Sequence, residues 1–307
     1  MEGPTTLRFA TQASMDVQRM MRQLTDLQRQ VASGNVSNDL AGFGDNAATL
    51  LNTQTLQATS NAKAQALSAL NARFGVQASA LDQVAQSAST LAKTIRDALS
   101  ANDGRTIDTE LNLAFSSAVS GLNETWNGQP LFAGERVGNP PVKVDTLQQL
   151  LAATGPQDIY DEAARPQVID LGTGTPIKVA DKASELSQPL FDTFTALQQM
   201  INQAGGQLPA PLTQAQRDQL TDIATQLDAE SATFTTAEGR AGQLQQRFTN
   251  EGTRLTARSN LLAKAIGDQS DADIAQISIQ INTLMAQYQA SAKTFTDISK
   301  LSILAYL

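Results

Sequence analysis

The feature that most constrains this chain is an apolar seam, with residues spaced alternately three and four apart, near each of its ends. This spacing places the seam along one face of a helix and is typical of helices that wind around one another. Its persistence favours such winding over a globular core. The N-terminal seam comprises Val17, Met20, Leu24, Leu27 and Val31, and the C-terminal seam comprises Ile274, Ile277, Ile281, Leu284, Tyr288, Phe295 and Ile298.

The same spacing continues between the two ends. It predicts a helix from Asn46 to Ser100, which would be about 80 Å long at 1.5 Å per residue. A shorter helix with apolar positions from Ile107 to Leu122 follows the Asn102-Asp103-Gly104 break. Helical spacing returns at 190–201, entered through Ser187 and Pro189, and again at 220–234 and 237–262.

The middle of the chain loses helical spacing, and proline pairs and glycines interrupt it. Val168, Ile169 and Leu171 face Ile177 and Val179 across Gly172-Thr173-Gly174-Thr175-Pro176, which predicts a β-hairpin rather than a phosphate loop. A second hairpin is indicated at Asn127-Gly128, where Trp126 and Phe132 are expected to pack beneath it. Residues 148–154 are expected to form one or two helical turns.

Together these patterns predict a mainly α protein, an elongated helical bundle with paired N- and C-terminal coiled-coil helices and a small β-containing insert. We expect residues 1–45 and 265–307 to form a terminal coiled-coil domain. Residues 46–137 and 182–264 are expected to form a helical rod with a hairpin near 126–134, and 138–181 a small, variable outer insert. The first and last helices would pair antiparallel and leave apolar faces that further copies of the chain could cover.

Composition then excludes most catalytic and binding chemistry. The 307 residues include no His and no Cys, so catalytic triads, thiolate nucleophiles, Cys/His zinc sites and disulfides are impossible. A formal charge of −8 argues against nucleic-acid binding, and a mean hydropathy of −0.23 without a long apolar run argues against membrane insertion. We therefore expect no enzymatic activity, no cofactor and no metal.

Two polar segments could suggest chemistry but have simpler interpretations. Asp268, Asp271 and Asp273 lack the spacing of a calcium loop, and we expect Ser270 or Asp271 to cap the last helix instead. Ser33-Gly34 is interpreted as a helix C-cap and turn, because no His or neighbouring Lys could activate the serine.

Three segments resemble the flagellin superfamily. The run from Leu27 to Gly42 is similar to its N-terminal signature, and 268–274 to the acidic start of its last helix. The apolar ending resembles its C-terminus, and Asn127–Gly134 is similar to the Asn-Gly…Phe-Ala-Gly segment of hook–filament junction proteins within that superfamily. The motif turns contain Ser33, Gly34, Asn127, Gly128, Phe132 and Gly134. Leu301, Leu304 and Leu307 belong, with the residues of the two terminal seams, to the expected assembly interface.

The resemblance implies a flagellin-like fold and a structural role in the bacterial flagellum, adapting the hook end to the filament. It implies assembly of the chain with itself, with the preceding hook-associated junction protein and with flagellin, through the terminal helices. It also implies export without a cleaved signal peptide, with an export chaperone as a further partner, and an extracellular location. Two alternatives stay open: a short filament-forming flagellin and a secreted helical binding module.

Overall fold

The computed structural model describes residues 4–169 and 176–304, and it describes side chains in these ranges except at 4–10, 13, 295 and 297–304. The described chain is mainly α-helical, with one 3-10 helix and two antiparallel two-stranded sheets. The helices are α1 Pro4–Ser33, the 3-10 helix Leu40–Asn46, α2 Ala47–Ala101, α3 Ile107–Leu122, α4 Leu147–Ala152, α5 Pro156–Ile159, α6 Ala183–Gln203, α7 Gln214–Ser270 and α8 Ile274–Leu304; the strands are β1 Thr125–Trp126, β2 Gln129–Pro130, β3 Val168–Ile169 and β4 Ile177–Lys178. The predicted fold class is confirmed.

The chain divides into two compact units. The terminal unit comprises the chain up to Ala64 and from Arg254 onward, and the central unit comprises Gln65–Thr253. Helices α2 and α7 contribute residues to both units, whereas α1 and α8 belong to the terminal unit alone. The predicted three-part division, with a separate outer insert at 138–181, stays a prediction about the assembled protein.

The central unit has a continuous hydrophobic core. On α2 the members of this core run from Ala80 to Ala98, and α3, α6 and α7 supply further members, whereas Leu70 and Ala78 of the predicted seam are only half-buried. Gly121 lets α3 approach α2 closely, because a Cβ there would lie 2.8 Å from Cγ2 of Val84. Aromatic rings fill the space between α3 and α6: the ring centroids of Phe115 and Phe191 are 5.8 Å apart, and those of Phe191 and Tyr160 are 6.0 Å apart.

The hairpin at Asn127-Gly128 forms as predicted. Both residues have positive φ, 50° and 74°, as the two central positions of a type I′ turn require. Phe132, just after β2, is buried in the core, and Trp126 packs against that core from a half-buried position. Gly134 also has positive φ, and a Cβ there would lie 2.5 Å from the Arg165 carbonyl oxygen.

The second predicted hairpin also pairs antiparallel. Val168 lies opposite Lys178 and Ile169 opposite Ile177, and the Val179 amide donates to the Gln167 carbonyl oxygen over 2.9 Å. The predicted loop at 172–175 and Leu171 lie outside the described residues.

The helical spacing at 220–234 and at 237–262 lies on one continuous helix, α7. One helix prediction needs correction. Helix α6 begins at Ala183 rather than at Ser187, and Pro189 lies inside it. Carboxylates hold the earlier start: Glu185 accepts the Lys182 amide over 3.3 Å, and Glu162 accepts the Ser184 amide over 3.1 Å.

A half-buried carboxyl group joins α6 and α7 in the central unit. Oε1 of Glu230 accepts a 2.7 Å hydrogen bond from the Thr193 hydroxyl, while Oε2 is buried without a hydrogen-bond partner. Burial raises the pKa of Glu230 to about 7, the Thr193 hydrogen bond opposes this rise, and the negative charge of Asp192 adds to it. The protonated form is therefore the one that the fold favours.

This carboxyl makes stability depend on pH. Because the pKa of Glu230 is higher in the folded than in the unfolded chain, the free energy of unfolding should fall as pH rises from about 4.5 through about 7. Glu230→Gln should remove about 2 kcal/mol of that fall. Urea unfolding between these pH values would measure it, with exposed Asp222→Asn as the control. If the free energy of unfolding changed with pH equally in wild type and in Glu230→Gln, the prediction would be contradicted.

Candidate assembly surface

The terminal unit is built around the contact between α1 and α8. The end of α1 lies beside the start of α8, so the two helices run antiparallel. Two backbone hydrogen bonds fix this joint: Val36 N–H donates to the Ser270 carbonyl over 2.7 Å, and Ala272 N–H to the Gly34 carbonyl over 2.9 Å. Between them, Asn35 and Asp271 form an antiparallel bridge. The predicted antiparallel pairing of the terminal helices is confirmed.

Gly34 ends α1 as predicted. Its φ is +72°, in the left-handed region that favours glycine, and its amide donates to the Gln30 carbonyl over 2.8 Å. Ser33 closes the helix, and its hydroxyl accepts a hydrogen bond from the Asn35 amide over 3.3 Å. The turn therefore places Asn35 and Val36 where they meet the start of α8.

The predicted cap of α8 is wrong. Asp273 caps the helix, because its Oδ1 accepts the Gln276 amide over 3.0 Å. Ser270 is still the last residue of α7, and Asp271 is held in the bridge to Asn35. The chain thus reverses through this bridge before α8 begins, so the cap lies two residues later than the last predicted position.

The loop after the α1 turn is held by a small network of hydrogen bonds to Asp39. Asp39 Oδ1 accepts hydrogen bonds from the Gly42 amide over 2.9 Å and from the Ser37 hydroxyl over 3.2 Å. A Cβ at position 42 would lie 2.0 Å from the Ser37 hydroxyl oxygen, so only glycine fits. Sequence reasoning missed the 3-10 helix that this network begins, although the Ser37, Asp39 and Gly42 spacing signals an Asp cap.

Pairing covers the two seams only partly. On α8, Ile277 is buried, at 6% exposed, whereas Ile281 and Leu284 are half-buried. On α1, all four of the residues Val17, Met20, Leu24 and Leu27 are half-buried. The seam residues Val31, Ile274 and Tyr288 are exposed. For Phe295, Ile298, Leu301 and Leu304 the side chains lie outside the described residues, as does Leu307 altogether.

Exposed apolar side chains concentrate in the terminal unit. Of fifteen large hydrophobic residues exposed within the described part, twelve lie there, whereas its buried large hydrophobic residues are only Leu50, Leu255 and Ile277. These exposed side chains are the candidates for burial against a partner. The twelve are Met15, Met21, Val31, Val36, Leu40, Leu51, Leu56, Leu261, Ile274, Ile279, Met285 and Tyr288.

Part of this surface is a groove between α1 and α8. Leu27 lines it from α1, and Ile279 and Leu284 line it from α8, with polar side chains at its edges. The seam prediction included Leu27 and Leu284 but not Met15, Leu51, Leu56, Leu261 or Met285. The signal for these missed residues is an apolar side chain off the seam of an otherwise polar helix.

The described residues offer little other chemistry at this surface. Across 4–169 and 176–304, no three acidic side chains come together where they could hold a metal ion. In the same ranges, no helix combines the length and the apolar character needed to cross a bilayer. What the arrangement can do is bury apolar helix faces against a partner.

The Gly34 turn offers a direct test of the joint between α1 and α8. Gly34→Ala should destabilise the joint by about 1 kcal/mol, because a Cβ disfavours positive φ. Amide hydrogen exchange in α1 and α8 should then become faster. Gly239→Ala, in an exposed turn of α7 with open space at the Cβ position, should instead leave exchange in these helices unchanged. Unchanged exchange in the Gly34 variant would contradict the role of the turn.

The fold is similar to those of solved flagellar proteins. A structure described as a flagellar hook-associated protein from Vibrio parahaemolyticus matches 76% of this chain and 99% of its own, with a TM-score of 0.58 and 15% identity. FlgL from Bacillus cereus matches 66% of this chain and 98% of its own, with a TM-score of 0.51 and 13% identity. No protein-family model and no curated protein sequence matches the chain. The flagellin-like fold predicted from the sequence is therefore shown by structure.

Proposed function

We propose that this chain is a structural, non-enzymatic component of the bacterial flagellum, a hook–filament junction protein similar to hook-associated protein 3. The single observation that carries the proposal is the fold, which spans 99% of the Vibrio hook-associated protein and 98% of Bacillus FlgL. The Asn127–Gly134 segment supports the junction role over the filament role, because it is the segment of the sequence that resembles junction proteins.

Assembly would proceed through the terminal unit. Two helices cannot cover both seams and the off-seam residues such as Ile279, which is 66% exposed. Neighbouring copies that cover such side chains would contribute about 1.5–3 kcal/mol for each one fully buried. This gain would offset the entropy of ordering the chain ends, so the terminal unit would be completed by assembly.

The remaining partners follow from the same role. The terminal helices would line the inner part of a ring seated on the preceding hook-associated junction protein. Helices of the central unit would present the surface on which flagellin polymerises, and the insert at 138–181 would face outward. An export chaperone would hold the chain before it leaves the cell, and no nucleic acid or membrane would take part.

Gene deletion tests the proposed function. Cells that lack the chain should carry intact hooks and release unpolymerised flagellin into the medium, and a plasmid copy should restore filaments. In restored cells the chain should be scarce and located at the hook end. Abundance along sheared filaments would identify a flagellin, and unaltered motility after deletion would favour a secreted binding module; either result would overturn the proposal.

Ile279 is the sharpest test of the proposed surface. Ile279→Gln should lower incorporation into isolated hook–filament structures by about tenfold, because the interface loses about 1.4 kcal/mol or more. Its thermal stability should stay close to that of wild type, since the side chain is mostly exposed. Val137→Gln is the matched control: Val137 is 64% exposed but lies in the central unit, so incorporation should persist. Normal incorporation of Ile279→Gln would contradict the assignment.

The apolar ending should also be required. Removing 298–307 deletes Ile298, Leu301, Leu304 and Leu307 and should abolish incorporation, because α8 loses part of its apolar surface. Immunoblots of isolated hook–filament structures and of the culture medium would separate failed incorporation from failed export. The double variant Ser299→Ala, Ser302→Ala keeps the apolar residues and should incorporate normally. A truncated chain that still incorporates would refute the requirement.

A further inference from the structure

A second concave surface lies in the central unit, and none of the residues assigned to assembly lines it. It is a groove of about 300 Å³ between α2, α7 and the hairpin strand β4. Its floor is apolar: Phe74 is fully buried and packs against Phe248, with ring centroids 5.5 Å apart, and Ala241 and Leu244 continue the floor along α7.

The groove contains a buried acceptor without a donor. Gln77 lines it from α2, is only 5% exposed, and its Oε1 has no hydrogen-bond partner. Buried polar atoms in folded proteins are normally paired, so an unpaired one in a groove wall needs an explanation. A ligand that carries an N–H group would supply the missing donor.

Positive charge surrounds the same groove. Lys178, Arg240 and Arg247 line it, and among the described lining residues Asp181 is the only acidic one. Lys178 is held by Asp181 and Glu185, and Arg240 lies 3.7 Å from Asp181, beyond hydrogen-bond distance. Arg247 makes no ion pair with the described residues. In a chain with a net charge of −8, this local excess of positive charge favours an anionic occupant.

Backbone groups also line the groove. The Val179 N–H donates a hydrogen bond to the Gln167 carbonyl oxygen, on the side of β4 that faces β3. Because successive residues of a strand direct their backbone groups to opposite edges, the N–H and C=O of Lys178 are directed to the other edge of β4. An outward edge of this kind can pair with an added extended strand. A small carboxylate would satisfy the arginines but would not use this edge.

We propose that this groove binds an extended, acidic segment of polypeptide. An apolar side chain of the segment would lie on the half-buried Leu244, and a carboxylate would meet Arg240 and Arg247. Its main chain would run beside β4 and provide an N–H donor for Gln77. The proposal does not depend on the flagellar role, since it rests on the central unit alone.

Peptide binding to the full-length chain tests the proposal. The probe is a rhodamine-labelled peptide of alternating leucine and aspartate, and its anisotropy should rise and saturate at micromolar chain concentration. The same peptide with asparagine in place of aspartate should have an affinity lower by a factor of about ten or more. The double variant Arg240→Gln, Arg247→Gln should weaken the acidic peptide by a similar factor, whereas Arg258→Gln, an exposed arginine elsewhere on α7, should not.

Further readings on the wild-type chain keep the test decisive if the double variant does not fold. Raising the ionic strength from about 0.1 M to about 0.5 M should weaken the acidic peptide and spare the asparagine peptide. Hydrogen exchange of the Lys178 amide should slow when the peptide binds. Three results would each overturn the proposal. The first is equal affinity for the aspartate and asparagine peptides, and the second is no saturation up to about 1 mM chain. The third is that octanoate displaces the labelled peptide as effectively as unlabelled peptide does.

Discussion

The contact between α1 and α8 is the interaction on which the rest of the terminal unit depends, and it is incomplete. In a pair of helices, each seam side chain contacts only one neighbouring helix, so part of that side chain stays exposed to solvent. This explains why the paired seam residues are half-buried and why Ile277 alone is buried among the described ones. The joint at Gly34 and Ser270 fixes the register of this open pair without enclosing it.

The central unit shows what the same spacing does when more helices are available. Its α2 residues Leu91 and Ile95 follow the same three–four rule as Leu24 and Leu27 of α1, yet they are completely buried, because α3, α6 and α7 close around them. Spacing therefore determines which face of a helix is apolar, and the number of neighbouring helices determines whether that face is covered. The central unit supplies its own neighbours, whereas apolar residues of the terminal unit stay exposed in the single chain.

This distinction also explains which predictions succeeded. Features that depend on local chemistry were predictable: the α2 boundaries within a residue, the Gly34 turn, and the hairpin at Asn127-Gly128. The cap of α8 was not, since Asp273 takes that place only because Asp271 bridges to Asn35, far away in the sequence. The start of α6 was missed for a similar reason, since Glu162 holds its first turn from outside the helix.

The joint between the chain ends has a further consequence for assembly. Because Val36 and Ala272 exchange backbone hydrogen bonds with Ser270 and Gly34, neither terminal helix can take its place without the other end of the chain. The core of the central unit contains none of these four residues. Both ends of the chain are therefore needed to complete the pair of terminal helices. Under the proposed function, a neighbouring copy would then cover the apolar side chains that this pair leaves exposed, such as those of Met21 and Ile279.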